Sequence, residues 1–186
     1  MAAVPRAAVI SWLWPKQRDV SQAKSLYEGM LGLAAEFDVD LIGGDTNSWN
    51  GKMVISVTLL GEATARGVLR RDTARIGDVI LVSGTLGGSL LKHHHDFQPR
   101  VTEALHLHEA YNLHAGMDIS DGLTLDLDRI VRASGVGAEI DLSAVPISTA
   151  AERMSQDSGR SPLEHALHDG EDFELLLTTS PQEAAR

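Results

Sequence analysis

Hydrophobic and polar positions along the chain form short runs that predict strands and helices in alternation. Two-residue alternation and short apolar runs predict strands at residues 7–14, 39–42, 53–60, 78–82, 138–142 and 173–179. Apolar residues at helical spacing predict helices at residues 20–37, 101–113, 123–134, within 143–160, and at 162–168. This mixture of elements predicts an α/β (α+β) fold, and it contains no internal repeat.

The stretch MDISDGLTLDLD, residues 117–128, joins a predicted strand to a predicted helix through short polar side chains. Ser120 or Asp121 occupies the position from which an N-cap oxygen would accept hydrogen bonds from the first helical turn. If the strand ends here, Asp118 and Ser120 point to one side and Asp121 lies on the turn. Carboxylates beside a helix N-terminus suit a hydrated divalent cation carrying phosphate oxygens. A capped helix with a solvated Asp118 explains the same spacing.

Three further polar segments have both a ligand-binding and a simpler interpretation. Residues 43–46 (GGDT) let the backbone approach a ligand and present Asp45, but they are also typical of a hairpin turn. Residues 84–88 follow a strand as phosphate-binding loops do, yet they lack the dinucleotide-binding spacing, and the chain contains no GxxxxGK[ST] motif. Residues 169–172 place three acids before a strand, as a metal or substrate site or as a solvated turn. If a nucleotide binds, metal ions and arginine must therefore neutralise its charge.

Three consecutive histidines, at residues 93–95, raise the hypothesis of a zinc site. Adjacent side chains on a helix or strand point in different directions, so three in a row rarely converge on one ion. The pattern favours partly exposed helix residues.

Composition narrows the class of protein further. The formal net charge of −10 over 186 residues argues against a nucleic-acid-binding protein, although magnesium can still bridge carboxylates to a nucleotide. The absence of cysteine excludes disulfides and thiolate catalysis. Neither a signal peptide nor an apolar run of membrane-spanning length is present, and we predict a soluble, cytoplasmic protein without membrane contacts.

A segment of arginines and small residues at 61–77 interrupts the apolar periodicity. It predicts a boundary between two domains, which we place at residues 1–62 and 63–186. The first would be the remainder of an ATP-binding and dimerisation domain, and the second an incomplete C-terminal domain.

Five blocks, in this order, resemble those of the thiamine-monophosphate kinases: GGDT at 43–46, LRRDTARIGDVILVSGTLG at 69–87, MDISDGL at 117–123, ASGVGAEID at 133–141 and GEDFELL at 170–176. That family belongs to the aminoimidazole-ribonucleotide-synthetase-like superfamily. The resemblance implies a two-domain fold and a homodimer in which the first domains pair into a β-barrel. It also implies magnesium-dependent transfer of the γ-phosphoryl group of ATP to thiamine monophosphate, giving thiamine diphosphate.

The resemblance also assigns roles to individual residues. Those matching magnesium ligands of the family are Asp45, Asp118 and Asp121. Those matching its ATP contacts are Gly44, Asp45, Arg71 and Ser120. Glu171 matches a substrate-binding glutamate, whereas Asp169 stands where the family usually has glycine. No catalytic base is implied, because the attacking phosphate oxygen is already ionised near neutral pH, and positioning and charge neutralisation carry phosphoryl transfer.

The family carries two portions that this sequence lacks: an N-terminal segment with further metal-binding aspartates, and a C-terminal portion that completes the second domain. We therefore expect an internal fragment, truncated at both ends, with exposed sheet edges and little or no kinase activity of its own. One alternative is a non-catalytic magnesium–nucleotide-binding module. Another is a different ATP-dependent synthetase of the superfamily, although the absence of cysteine removes the usual nucleophile of selenophosphate synthetases.

Overall fold

The computed structural model describes all residues, Met1–Arg186, and they form two compact units. The N-terminal unit is Ala3–Thr64, and the C-terminal unit comprises Ala65–Arg186 together with Met1–Ala2. None of the helices is both long enough and apolar enough to cross a membrane.

A three-stranded sheet and one helix form the N-terminal unit. Its elements are β1 (Ala3–Pro15), α1 (Val20–Glu36), β2 (Asp40–Trp49) and β3 (Val54–Ala63). β1 is the central strand, with β2 parallel to it on one side and β3 antiparallel on the other. Asp19 caps α1 by accepting a hydrogen bond from the Ser21 N–H, which confirms the predicted start of this helix.

The prediction that a strand ends at residues 43–44 is wrong, as is the hairpin-turn interpretation of residues 43–46. β2 continues to Trp49 and contains a β-bulge at Ile42, directly before the paired glycines: Ala8 pairs with Leu41 but Val9 pairs with Gly43. One residue of β2 is thus left over, which bends the strand without ending it.

The second of the two glycines lies directly against the central strand. A Cβ atom at Gly44 would come within 1.8 Å of the Ile10 carbonyl oxygen, whereas a Cβ at Gly43 would meet nothing within 4 Å. Only Gly44 is therefore sterically required.

We expect Gly44→Ala to lower the free energy of unfolding of the N-terminal unit by about 2 kcal/mol or more, because the strands must separate to admit the methyl group. Gly43→Ala is the matched control and should stay within about 0.5 kcal/mol of the parent chain. All three tryptophans (Trp12, Trp14 and Trp49) lie in this unit, so fluorescence during urea unfolding reports on it. Equal stability of the two variants would contradict the assigned register.

Every buried residue of the N-terminal unit lies on β1. The apolar stripe predicted on α1 is at most half-buried, and the helix contains no buried residue. Only β1 has a strand partner on both sides, so one edge of β2 and one edge of β3 have no partner within the unit. The large apolar side chains exposed on β2 and β3 are Ile42, Trp49, Val54, Val57, Leu59 and Leu60.

The C-terminal unit packs helices against a second three-stranded sheet. Its elements are β4 (Val79–Val82), α2 (His93–Asp96), α3 (Val101–Ala110), β5 (Leu113–Asp118), α4 (Leu123–Ser134), α5 (Thr149–Ser158), α6 (Pro162–His168), β6 (Leu175–Thr179) and α7 (Pro181–Ala184), with 3-10 turns at Ser89–Leu91 and Leu142–Ala144. The strand order is β4–β6–β5, and both outer strands run antiparallel to β6. The core lies between this sheet and the helices α4 and α6, around Leu86, Ile119, Ile130 and Leu176.

Two predicted elements of the C-terminal unit need correction. Residues 138–142 do not form a strand, because Asp141 accepts a hydrogen bond from the Ser143 N–H and starts a 3-10 turn instead. The predicted helix at 101–113 ends at Ala110, and Leu113 already begins β5. The predicted ends of α4 and α6 are confirmed, α4 closing with Gly135 at φ 69°.

Candidate functional site

Asp118 ends β5, and the following four residues form the turn into α4. Ile119 is fully buried, and its N–H donates to the Glu174 carbonyl at 2.8 Å, which holds the turn against the start of β6. Gly122 has φ 105°, and a Cβ there would lie 3.0 Å from the His168 carbonyl oxygen. The buried Ile119 and the glycine at position 122 together place Ser120 and Asp121 at the surface of the turn.

The N-cap predicted at Ser120 or Asp121 is wrong, because Gly122 occupies that position without a side-chain hydrogen bond. Asp126, which is fully buried in the first turn of α4, binds amides of the turn that precedes the helix instead. Its Oδ2 accepts hydrogen bonds from the Ser120 and Asp121 N–H groups, both at 2.9 Å. Arg129 Nη1 lies 2.6 Å from Asp126 Oδ1 and 2.5 Å from Asp121 Oδ2. The only sequence signal was an acidic residue in the first helical turn.

Arg71 and Asp118 line one cavity of about 660 Å³ in the C-terminal unit. Both residues are exposed, so their charges face the cavity or the solvent rather than the core. The structure thus brings together a guanidinium and a carboxylate of the predicted set. Asp121 and Ser120 lie on the turn that follows Asp118, where Asp121 is engaged by Arg129.

Gly44 and Asp45 belong to the N-terminal unit, on the part of β2 that follows the bulge. Asp45 is exposed, and its Oδ2 accepts a hydrogen bond from Asn47 Nδ2 at 2.6 Å. The Asp45 carboxylate therefore follows Gly44 on the strand β2 rather than on a hairpin turn.

Residues 169–174 (the acidic loop) pack against the turn after β5. Glu171 is exposed, and its N–H donates to the Ser120 carbonyl at 2.8 Å, while the Phe173 N–H donates to the Ile119 carbonyl at 2.8 Å. A Cβ at Gly170 would lie 2.6 Å from the Ser120 carbonyl oxygen, so this close approach requires glycine. Glu171 and Ser120, both predicted site residues, are therefore neighbours.

The glycine-rich loop, residues 84–88, binds carboxylates of the chain itself. The Gly87 N–H donates to both carboxylate oxygens of Asp172, at 3.0 and 3.1 Å, and the Gly88 N–H donates to Asp169 Oδ2 at 3.3 Å. These amides have the character of an anion site, but two side chains already use them. The interpretation of residues 169–172 as a solvated turn is wrong, since Asp169 and Asp172 are buried and only Glu171 projects from the surface.

Asp169 also belongs to a hydrogen-bond relay. Its carboxylate lies 2.7 Å from His165 Nδ1 and 2.9 Å from Arg160 Nη1, and His165 Nε2 lies 2.7 Å from Ser158 Oγ. The order serine–histidine–aspartate is that of hydrolase triads. Here the relay joins the ends of α5 and α6 to Gly88, and Ser158 does not line the cavity of Arg71 and Asp118, so a structural role accounts for it.

Burial shifts the pKa values of carboxyl groups in the acidic loop. Desolvation raises the pKa of Asp172 to about 7; the Gly87 hydrogen bond opposes this rise, and the nearby Asp169 and Glu174 add to it. Burial acts in the same direction on Glu174, but hydrogen bonds from Arg100 and Ser83 hold its pKa below the usual value. The loop therefore contains one carboxyl that titrates near neutral pH.

We expect Asp172→Asn to gain stability relative to the parent chain as pH rises. A carboxyl whose pKa is higher folded than unfolded takes up a proton on folding, so its contribution is fully present below about pH 4 and is lost towards about pH 7. Asparagine does not titrate. The difference in free energy of unfolding should therefore change in favour of Asp172→Asn by at least about 1 kcal/mol between about pH 5 and about pH 7.5.

Urea unfolding followed by circular dichroism at each pH measures this difference. Asp157→Asn, at an exposed position on α5, is the matched control. A pH-independent difference for Asp172→Asn would show that the buried carboxyl does not titrate in this range.

Two of the three histidines at residues 93–95 contact different carbonyl groups rather than a common point. His93 Nε2 lies 3.2 Å from the Asp172 carbonyl and His94 Nδ1 lies 2.8 Å from the Ser89 carbonyl. Over residues 1–186, no three histidine or acidic side chains are grouped as metal ligands. Magnesium, however, is commonly held by one or two carboxylates together with phosphate oxygens and water, and the exposed Asp118 beside Arg71 has this donor chemistry.

Residues 1–63 match the N-terminal domain of AIR synthase related proteins, and residues 88–186 match the C-terminal domain of the same proteins. The crystal structure of the hydrogenase maturation protein HypE from E. coli superposes with a TM-score of 0.83 over 98% of this chain and 61% of that chain, at 20% identity. This likeness shows the fold alone. The two domain matches show that the chain belongs to the AIR synthase related protein family, and the predicted α/β fold is confirmed.

Within this family the chain is similar to thiamine-monophosphate kinases, which confirms the resemblance of the five blocks. It is 44% identical to the enzyme of Rhodopirellula baltica over 185 residues, which are 100% of this chain and 58% of the relative. The crystal structure of the Aquifex aeolicus enzyme superposes with a TM-score of 0.83 at 32% identity, covering 97% of this chain and 67% of that chain. AaThiL complexed with AMPPCP and TMP gives a TM-score of 0.84 at 32% identity, covering 98% and 64%. The chain thus spans about three fifths to two thirds of the length of these relatives.

Proposed function

We propose that the chain serves as a thiamine-monophosphate kinase, transferring the γ-phosphoryl group of ATP to thiamine monophosphate. The observation that carries the proposal is the shared cavity of Arg71 and Asp118. It lies beside a turn whose Ser120 carbonyl accepts the Glu171 N–H. AaThiL, complexed with AMPPCP and TMP, supports a nucleotide and a thiamine phosphate as the ligands.

Each residue has a role that suits its chemistry. The Arg71 guanidinium would pair with phosphate oxygens of ATP, where its planar fork can donate two parallel hydrogen bonds. The turn amides are already bound to Asp126, so Ser120 would contact ATP through its hydroxyl group. Gly44 would let the backbone of β2 approach the nucleotide. The exposed Glu171 carboxylate would meet the positively charged thiazolium ring of the substrate.

The proposed magnesium ligands are Asp45, Asp118 and Asp121. Bound magnesium would neutralise charge on the phosphate groups, which is the main requirement of phosphoryl transfer. Arg129 occupies Asp121 Oδ2, so Asp121 would bind a metal ion through Oδ1 or after releasing Arg129. Three carboxylates can hold only a few magnesium ions, so we expect slow turnover by the 186-residue chain.

We expect Arg71→Ala to weaken binding of AMPPCP in the presence of magnesium by about tenfold or more, because a pair of charge-assisted hydrogen bonds is lost. Arg132→Ala, which removes an exposed arginine of α4, is the matched control and should bind as the parent chain does. Isothermal titration calorimetry measures both. Formation of thiamine diphosphate from ATP and thiamine monophosphate, followed by chromatography, measures turnover.

Two results would contradict the proposal in different ways. A folded chain that binds neither AMPPCP nor thiamine monophosphate would exclude this substrate pair. Binding of both ligands without any turnover would favour the alternative of a non-catalytic magnesium–nucleotide-binding module.

We further propose a homodimer formed through the N-terminal unit, with the exposed apolar side chains of β2 and β3 at the interface. Val57 and Leu59 are 58% and 57% exposed and point to the same side of β3. We expect the double variant Val57→Lys/Leu59→Lys to be monomeric in light scattering, because lysine ammonium groups cannot be buried unpaired in an apolar interface.

Leu125→Lys, at an exposed leucine of α4 in the C-terminal unit, is the matched control and should remain dimeric. A parent chain that is monomeric at all concentrations would contradict the dimer proposal.

A further inference from the structure

The acidic loop adopts a backbone conformation that its residues do not favour by themselves. Glu171 has φ 64° and Phe173 has φ 53°, and both are non-glycine residues in the left-handed region. Such residues persist only where surrounding contacts impose the conformation. Something must therefore hold residues 171–173 in place.

Asp172 lies between the two strained residues and points the opposite way from Glu171. It is 3% exposed, and both of its carboxylate oxygens accept the Gly87 N–H. Two residues beyond Gly87 contact the same backbone: Ser89 Oγ, in the 3-10 turn, donates to the Glu171 carbonyl at 2.5 Å, and His93 Nε2, in α2, lies 3.2 Å from the Asp172 carbonyl. The loop is thus fixed on this side by one buried side chain and two contacts to its carbonyl groups.

The turn after β5 fixes the other side of the acidic loop. The carbonyls of Ser120 and Ile119 accept the N–H groups of Glu171 and Phe173, and the Phe173 ring stacks on Phe97 at 4.1 Å between centroids. Both hydrogen bonds are made with Glu171 and Phe173 at positive φ. The backbone at Glu171 is therefore held from both sides, which fixes the direction of its Cα–Cβ bond.

We propose that Asp172 is a positioning residue: by binding the Gly87 amide it keeps Glu171 in its left-handed conformation and so aims the Glu171 carboxylate at the substrate. The aim at thiamine monophosphate rests on the function proposed above, whereas the clamp itself does not. Asp169 does not substitute for this contact, because its carboxylate is shared among Gly88, His165 and Arg160 and holds the end of α6.

Amide hydrogen exchange of the whole chain tests the clamp. Asp172→Ala should accelerate exchange of the Glu171 and Phe173 amides by tenfold or more, while the amide of Ile130 in the core of α4 keeps its rate. Asp172→Asn retains an oxygen that accepts the Gly87 N–H, so it should restore most of the protection. Asp157→Ala, on the exposed part of α5, is the matched control.

Two exchange results would overturn the proposal. Unchanged rates at Glu171 and Phe173 in a folded Asp172→Ala chain would show that the clamp is not needed. Equal acceleration at Ile130 would show that Asp172 acts on the whole unit rather than on the loop.

Binding of thiamine monophosphate separates this proposal from the proposed function. If the parent chain binds it, Asp172→Ala should weaken binding at least fivefold and Asp172→Asn should recover it. Tight binding by a variant whose loop exchanges rapidly would overturn the aiming role. A parent chain that shows the exchange pattern but binds no thiamine monophosphate would refute the substrate assignment and leave the clamp in place.

Discussion

Buried aspartates that accept backbone N–H groups hold together the loops at the ends of the strands in the C-terminal unit. Asp126 accepts two amides of the turn after β5, Asp172 accepts the Gly87 amide, and Asp169 accepts the Gly88 amide. Burial of a carboxylate is costly unless hydrogen bonds or charges compensate it. Asp169 and Asp172 join the acidic loop to the glycine-rich loop, and Asp126 fixes the turn after β5, which the acidic loop contacts through the Glu171 N–H. The three segments are therefore fixed relative to one another.

This arrangement leaves a small set of side chains free to meet a ligand. The turn amides and the glycine-loop amides are used internally, so an anion must be bound by side chains such as Arg71. Asp118 and Glu171 are exposed, whereas Asp121 shares Arg129 with the buried Asp126. Because the chain has a net charge of −10, the charge of bound phosphate groups must be neutralised by Arg71 and by any bound metal ion. Some aspartates, such as Asp126, thus stabilise the fold, whereas others, such as Asp118, remain available to bind a ligand.

The sequence was sufficient for elements whose cause is local. Apolar spacing and a terminal glycine define α4, and a proline with a serine cap defines α6. The β-bulge in β2 could not be predicted, because it depends on the pairing of Val9 with Gly43 in a strand more than thirty residues away. Likewise, residues 138–142 alternate as a strand does, but the Asp141 side chain bonds locally and no strand pairs with them.

The candidate site divides in the same way. The exposed residues were identified by their type and spacing, whereas the buried aspartates that position them were not, since a run of acids before a strand usually indicates solvent exposure. Only contacts with residues 84–88 distinguish the buried Asp172 from the exposed Glu171. Partners distant in sequence leave no periodic signal.

The two units differ in how far they can position such residues by themselves. The C-terminal unit has a core of its own, which includes the fully buried Leu86, Ile119, Ile130 and Leu176. In the N-terminal unit burial is confined to β1, while Asp45 stands on an edge strand beside the bulge. A strand with one free edge and little burial opens more readily than a core strand. The entropy cost of ordering β2 therefore lowers the affinity of any ligand that Asp45 binds, unless another protein surface covers the sheet.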